Sequence, residues 1–164
     1  MNQLVDLIKD IKVCMFMTMN EDGKICGRPM ASLQIDPNHF NGTLFFFSLA
    51  NSQKNHAIEN DQHVNLCYAD TNHQRYISIS GKAKILIDKS LQEKLWEPTL
   101  KSWFPKGLAD PDLSLIQVEI ESAELWNSPP NKVIQLVGKM KSMVTGKTYE
   151  QNSKVEHIDF GPQH

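Results

Sequence analysis

Apolar positions in this chain recur with two different periods. Leu4, Leu7, Ile8 and Ile11 fall at helical spacing, which predicts an amphipathic helix over 3–12. VCMFMTM (13–19) then reads as a buried strand, and Asp22-Gly23 in the turn after it is a hairpin signal. ICGRPMASLQI (25–35) resumes as a strand that Gly27 and Pro29 interrupt, the mark of an edge, a bulge or a close approach. Across the turn DPNHFNG (36–42), TLFFFSL (43–49) is a third strand, expected to pair with 25–35. Ser52 is a fitting N-cap for a short helix over 53–60. HVNLCYA (63–69) and RYISISGKAKILID (75–88) are the next strands. The second alternates Tyr76, Ser78 and Ser80 against Ile77 and Ile79, and Gly81 marks a bend in it. A helix over 89–104 is expected to run to Pro98 or a little beyond, and LSLIQVEIESAELWN (113–127) is the last long strand. Val133, Leu136, Val137, Met140, Met143 and Val144 recur at threes and fours, which predicts a closing helix ended by Gly146. Residues 147–164 are polar and read as a loosely held C-terminal tail.

About six strands joined by hairpin-type connections, with helices between and after them, close most easily as a small barrel. The fold class is therefore α+β, mainly β: one antiparallel β-barrel domain over 1–146 with peripheral helices, followed by the 147–164 tail. The 164 residues suffice for one domain with its own core. A net charge of −2 offers no basic surface for nucleic acid. No run approaches the roughly 18 apolar residues of a membrane span. The N-terminus carries acids and lacks the basic start of a secretory signal, so a cytoplasmic protein is expected. The three cysteines, Cys14, Cys26 and Cys67, sit in strand-like runs without a CxxC pair and read as reduced, packed thiols. The six histidines show no metal-ligand spacing, so no metal is expected.

The candidate chemistry lies where the most apolar run meets hydroxyls and a lysine. LFFFSLANSQK (44–54) passes from three phenylalanines to Ser48, Ser52 and Lys54 at the start of a helix. A helix N-terminus carries unpaired N–H groups and partial positive charge, which suits an anion. Arg28, one of only two arginines in the chain, sits in the interrupted strand and, counted back from the turn, lies toward the same end of the hairpin as Ser48. Arg28 and Lys54 could converge on one phosphate, the arginine by its planar fork and the lysine as a point charge. The simpler reading is a capped helix with an exposed lysine and an edge arginine facing water. Among the tryptophans, Trp96 falls with Leu91 and Leu95 on a helix and reads as core. Trp103 and Trp126 stand at element ends, where tryptophans often seal a pocket or an interface.

In this order, GRPM (27–30), LFFFSLANSQK (44–54), VNLCY (64–68), YISISGKAK (76–84), LWEPTLKSWFPKGLADPDLSLIQVE (95–119) and AELWN (123–127) resemble the pyridoxamine 5′-phosphate oxidase-like family. The similarity is greatest to its general stress protein 26 branch. The resemblance implies a six-stranded split β-barrel, assembled as a homodimer, with flavin mononucleotide in grooves at the dimer interface; flavin adenine dinucleotide is the alternative cofactor. By the same resemblance Arg28 and Lys54 match the basic residues at the phosphate. Ser48 and Ser52 match hydroxyls near the phosphate and ribityl chain, and Pro29, Met30 and Phe47 match positions along the isoalloxazine ring. Tyr76 matches a flavin-contacting glutamine position, Trp126 a tryptophan supplied by the second subunit, and Trp103 belongs to the loop over the site.

The chain departs from the vitamin B6 oxidases after Trp126. They carry an arginine–x–histidine pair and a further arginine there, whereas SPPNKVIQLVG (128–138) has Lys132 as its only cation. Oxidation of pyridoxamine phosphate is therefore not expected. No side chain stands out as a general acid or base, and flavin chemistry does not require one. The expected function is that of a flavin-dependent oxidoreductase acting on a small molecule, with no catalytic side chain assigned. Its rivals are a flavin carrier or redox-sensing stress protein without turnover, a split barrel for haem or a deazaflavin, and a cofactor-free dimer.

Overall fold

The computed structural model describes residues 2–33, 36–127 and 154–159. Helix α1 (Asn2–Ile11) leads into β1 (Val13–Met19), β2 (Ile25–Ala31) and β3 (Thr43–Leu49), followed by α2 (Gln53–Asn60). Then come β4 (His63–Asp70), β5 (Arg75–Leu86), α3 (Lys89–Leu95), two 3₁₀ turns (Pro98–Ser102 and Gly107–Ala109), β6 (Leu113–Asn127) and β7 (Lys154–Asp159). Every strand pairing is antiparallel. The order across the sheet is β2-β1-β4-β5-β6-β3, with β7 added to β6.

The sheet curls into a split barrel with β2 and β3 as its two edges. Among the described residues a backbone hydrogen bond joins them at the seam, where the Leu33 N–H donates to the Phe45 carbonyl at 2.9 Å. The expected β2–β3 pairing is thus corrected: β2 pairs with β1, and β3 pairs with β6. The reason lies in the phenylalanine run. Strand side chains alternate between faces, yet Phe46 and Phe47 are both buried. Phe46 points into the barrel, where it meets Phe16 edge-to-face at 5.2 Å. Phe47 points outward into a second core with Leu113 and Leu115 of β6, Trp96 and Phe104. A strand covered on both faces reads as a continuous apolar run, and β6 supplies both the ladder and part of that cover. Each phenylalanine so buried stabilises the fold by about 1.5–3 kcal/mol.

Inside the barrel, Phe16, Leu44, Phe46, Leu66, Ile79 and Val118 form the main core. Leu4, Leu7 and Ile8 of α1 add one apolar helix face to it. At Gly81 the register of β5 shifts against β6. A Cβ there would stand 2.3 Å from the Glu119 carbonyl oxygen, so only glycine lets the strands approach at this bulge. The expected bend at Gly81 is this bulge.

Two further expectations change. The helix over 89–104 stops at Leu95, because Trp96 is already extended at ψ 131° and Pro98 disfavours helix in the residue before it. The chain resumes as a 3₁₀ turn from Pro98. Within the expected loose tail, Lys154–Asp159 instead form β7 along the C-terminal half of β6, and Ile158 packs against the main core. The helix expected over 133–144 lies outside the described residues.

Candidate functional site

β2 is an edge strand in which no residue is fully buried, which is where a strand proline is tolerated. Arg28 lies opposite the buried Phe16 of β1, and one guanidinium nitrogen donates to Thr18 Oγ1 at 3.3 Å. Lys54 comes from the first turn of α2 and is half-buried. Burial, and then the charge of Arg28, lower the Lys54 pKa. Among the described residues neither cation has a carboxylate partner. Two neighbouring positive charges that partly leave water without an acid between them are costly unless something anionic joins them.

Ser52 occupies the expected N-cap position, with φ −81° and ψ 148°, but its hydroxyl does not cap the helix. It is diverted into a chain of hydrogen bonds. Lys54 Nζ donates to Ser52 Oγ at 3.2 Å, and Ser52 and Ser48 hydroxyls lie 3.3 Å apart. The Ser48 hydroxyl donates to Asn55 Oδ1 at 2.8 Å, and Asn55 Nδ2 donates to Ser114 Oγ at 3.2 Å. Since Ser48 gives its proton to Asn55, Ser52 is the donor toward Ser48, and the chain runs in one direction from Lys54 to Ser114. Ser48, Asn55 and Ser114 are all buried. Sequence reasoning missed Asn55 and Ser114. The available signal was Asn55 itself, three positions before Ile58 on the helix face turned to the barrel, where an apolar residue would be the default.

Beside these cations opens a cavity of about 290 Å³. β2 contributes Arg28, Pro29, Met30 and Ala31, β3 contributes Phe47, and α2 contributes Lys54. Val13, Leu100, Trp103 and Phe104 complete it. The cavity thus joins two cations to apolar and aromatic walls and, among the described residues, includes no acid, histidine, cysteine or tyrosine. It brings together Arg28, Pro29, Met30, Phe47, Lys54 and Trp103, with Ser48 and Ser52 attached through the hydrogen-bond chain. It does not include Tyr76 or Trp126. Those two lie opposite each other on β5 and β6, Tyr76 exposed and Trp126 half-buried.

Among the described residues no group of histidine, cysteine and acidic side chains could hold a metal ion. Cys14, Cys26 and Cys67 are free thiols, and burial pushes the Cys14 thiol up to about 12. No helix among the described residues is long and apolar enough to cross a membrane.

The family model described as pyridoxamine 5′-phosphate oxidase like matches residues 1–150. Protein bli-3 of Neurospora crassa is 29% identical over 112 residues, 63% of this chain and 54% of that protein. General stress protein 26 of Bacillus subtilis is 34% identical over 61 residues, 37% of this chain and 43% of that protein. The matches thus span about half the length of these two curated relatives. The crystal structure of the general stress FMN/FAD binding protein from Xanthomonas citri superposes with a TM-score of 0.69 at 23% identity, covering 80% of this chain and 91% of that one. At that identity the superposition establishes the split-barrel fold alone.

Proposed function

The chain belongs to the pyridoxamine 5′-phosphate oxidase-like family, and from that premise we propose that it binds flavin mononucleotide in the cavity between β2, β3 and α2. The observation that carries this reading is the pair of cations, Arg28 and Lys54, without a carboxylate among the described residues and beside apolar walls. Flavin mononucleotide has the matching chemistry: a phosphate at one end and a flat, largely apolar ring at the other. Arg28 and Lys54 hold the phosphate, Ser52 and Ser48 lie next to it, and Pro29, Met30 and Phe47 flank the ring. That the Xanthomonas citri relative is an FMN/FAD binding protein supports a flavin as the ligand.

The bound flavin would supply hydride or electron transfer to a small molecule. The residues of this chain bind and orient it and exclude water from one of its faces. At about 290 Å³ the cavity lies at the lower limit of ligand pockets, roughly 300–1,000 Å³, and in this reading a second copy of the chain finishes the enclosure. The exposed Val13, Met15, Met19 and Ile25 of the β1–β2 hairpin suit such a homodimer. In it, Trp126 and Tyr76 of one subunit serve the site of the other. The free thiols fit a reducing, cytoplasmic setting.

One observation favours a second reading, a flavin carrier or sensor without turnover: among the described residues the cavity walls offer no carboxylate, histidine, cysteine or tyrosine, and their one titratable amine, Lys54, is assigned to the phosphate. Titration of the flavin-stripped protein with flavin mononucleotide, followed by fluorescence and absorbance, tests the first claim. Saturation at one flavin per chain is expected, and no binding at micromolar flavin overturns it. Steady reoxidation of the reduced, bound flavin by small acceptors separates the oxidoreductase from the carrier.

A further inference from the structure

Trp103 is 76% exposed, the most exposed large apolar side chain among the described residues. It is nevertheless not at a loose end of the chain. Leu100 and Phe104 on either side of it pack into the second core, where Phe104 lies 6.0 Å from Phe47 and Trp96 meets Phe47 edge-to-face at 5.3 Å. The turn between them is pinned, because the N–H groups of Trp103 and Phe104 both donate to the Leu100 carbonyl, at 3.0 and 2.9 Å. The Gly107 N–H closes the next turn on Phe104 at 2.8 Å. A held backbone therefore presents an indole that packs on little, at a cavity whose aromatic walls Phe47 and Phe104 are buried and half-buried. A tryptophan in water forgoes one of the largest apolar burials a side chain offers.

Charge narrows what the indole meets. Among the described residues the only charges on the cavity walls are the cations Arg28 and Lys54, which repel a cationic ring and accept a neutral or anionic one. The indole and the Phe47 and Phe104 rings among those walls favour a molecule recognised by its flat face. We propose that Trp103 sets the specificity of the site by stacking on the ring of the reacting small molecule, a planar, conjugated, neutral or anionic compound of the quinone class. This rests on the flavin reading above: the flavin lies along the β2 and β3 walls, and the reactant lies between it and the indole.

The test uses the full chain loaded with oxidised flavin mononucleotide, which has no electrons to pass on, and the anionic quinone 9,10-anthraquinone-2-sulfonate, with cyclohexanecarboxylate as a non-aromatic anion. Flavin affinity is titrated first and probe affinity second, by calorimetry, in the wild type, Trp103→Ala and Trp103→Phe. Expected are quenching of indole fluorescence by the probe in the wild type and about tenfold weaker probe binding in Trp103→Ala, the scale of one ring stack. Near-wild-type probe binding in Trp103→Phe and no binding of cyclohexanecarboxylate complete the expected result. Equal probe affinity in the wild type and Trp103→Ala overturns the proposal. So does a loss of flavin affinity in Trp103→Ala, which would make the indole a flavin wall. An indole already shielded from acrylamide in the probe-free wild type overturns it too, since a second copy of the chain would then cover Trp103. Failure of the wild type to bind flavin overturns the underlying reading as well, and the first titration reveals that before any probe is added.

Discussion

Replacing Lys54 with methionine keeps most of the side chain's length and apolar stem while removing its charge. In the ligand-free protein that charge is unfavourable, since burial and Arg28 both lower the Lys54 pKa. With a phosphate present it becomes the donor of a charge-assisted hydrogen bond, worth about 1.5–3 kcal/mol. At about 1.4 kcal/mol per decade, Lys54→Met should raise the Kd for flavin mononucleotide about 10- to 150-fold. The ligand-free variant should melt no lower than the wild type, and higher if relief of the Arg28 repulsion dominates. Riboflavin, which shares the ring but lacks the phosphate, should bind both proteins equally. pH gives an independent check. The lysine's folded pKa lies below its ordinary 10.5, and the bound phosphate stabilises the protonated form. Affinity for flavin mononucleotide is therefore full well below that pKa and declines as pH rises through it, while the variant shows no such decline beyond that of riboflavin. Fluorescence titrations of both flavins across the alkaline range measure all of this. If Lys54→Met retains the wild-type preference for flavin mononucleotide over riboflavin, the phosphate assignment is wrong.

Three further outcomes follow from the packing. Asn55→Ala removes the partner that buried Ser48 and Ser114 share; Ser48 keeps Ser52, whereas the loss of the Asn55 bond to the buried Ser114 hydroxyl costs about 1–3 kcal/mol. Denaturant unfolding should show that loss, and a change under about 0.5 kcal/mol would mean that water replaces the asparagine. Gly81→Ala forces a methyl against the Glu119 carbonyl, so stability should drop by about 1–3 kcal/mol; an unchanged midpoint would contradict the bulge. The Arg75 guanidinium beside Asp70 holds its carboxyl at about 2, below the usual 3.8. A depressed folded pKa contributes stability that is full above 3.8 and is lost as pH falls toward 2. Arg75→Gln should flatten the acid-unfolding curve in that window, and a slope equal to the wild type's would refute the pairing.

Where hydrophobic period and turn chemistry act locally, the fold could be read from the residues. The α1 stripe, the Asp22-Gly23 hairpin, the edge character of β2 around Pro29 and the break at Gly81 are all decided within a few positions. The β2–β3 pairing failed because it assumed that neighbours in sequence are neighbours in the sheet. The partner of β3 was decided instead by two buried faces, and the clue was the unbroken Leu44–Phe47 run. Residues 154–159 show too little local pattern to announce a strand; β7 exists because β6 outruns β3 and leaves half of one edge unpaired. At the site, Arg28 and Lys54 were legible because an arginine in a strand and a lysine at a helix start are conspicuous. The asparagine that orders the two serines was not, because its importance comes from burial, which only the folded chain reveals.

The long span between β3 and its partner has a consequence for how this protein is made. Leu49 pairs with Leu113 and Thr43 with Glu119, separations of 64 and 76 residues. The β1–β2 and β4–β5 hairpins can close as soon as they leave the ribosome, but β3 must wait for β6. At about 5–20 residues per second, the Leu44–Phe47 segment spends roughly 3–15 s without its sheet neighbour. It is rich in β-forming residues, uncharged and free of proline, the character of an aggregation-prone stretch. Yield during synthesis should therefore depend on translation speed and chaperone supply more than on the stability of the finished barrel. Slowing elongation between codons 50 and 112 should lower the soluble fraction, whereas slowing it before codon 43 should not.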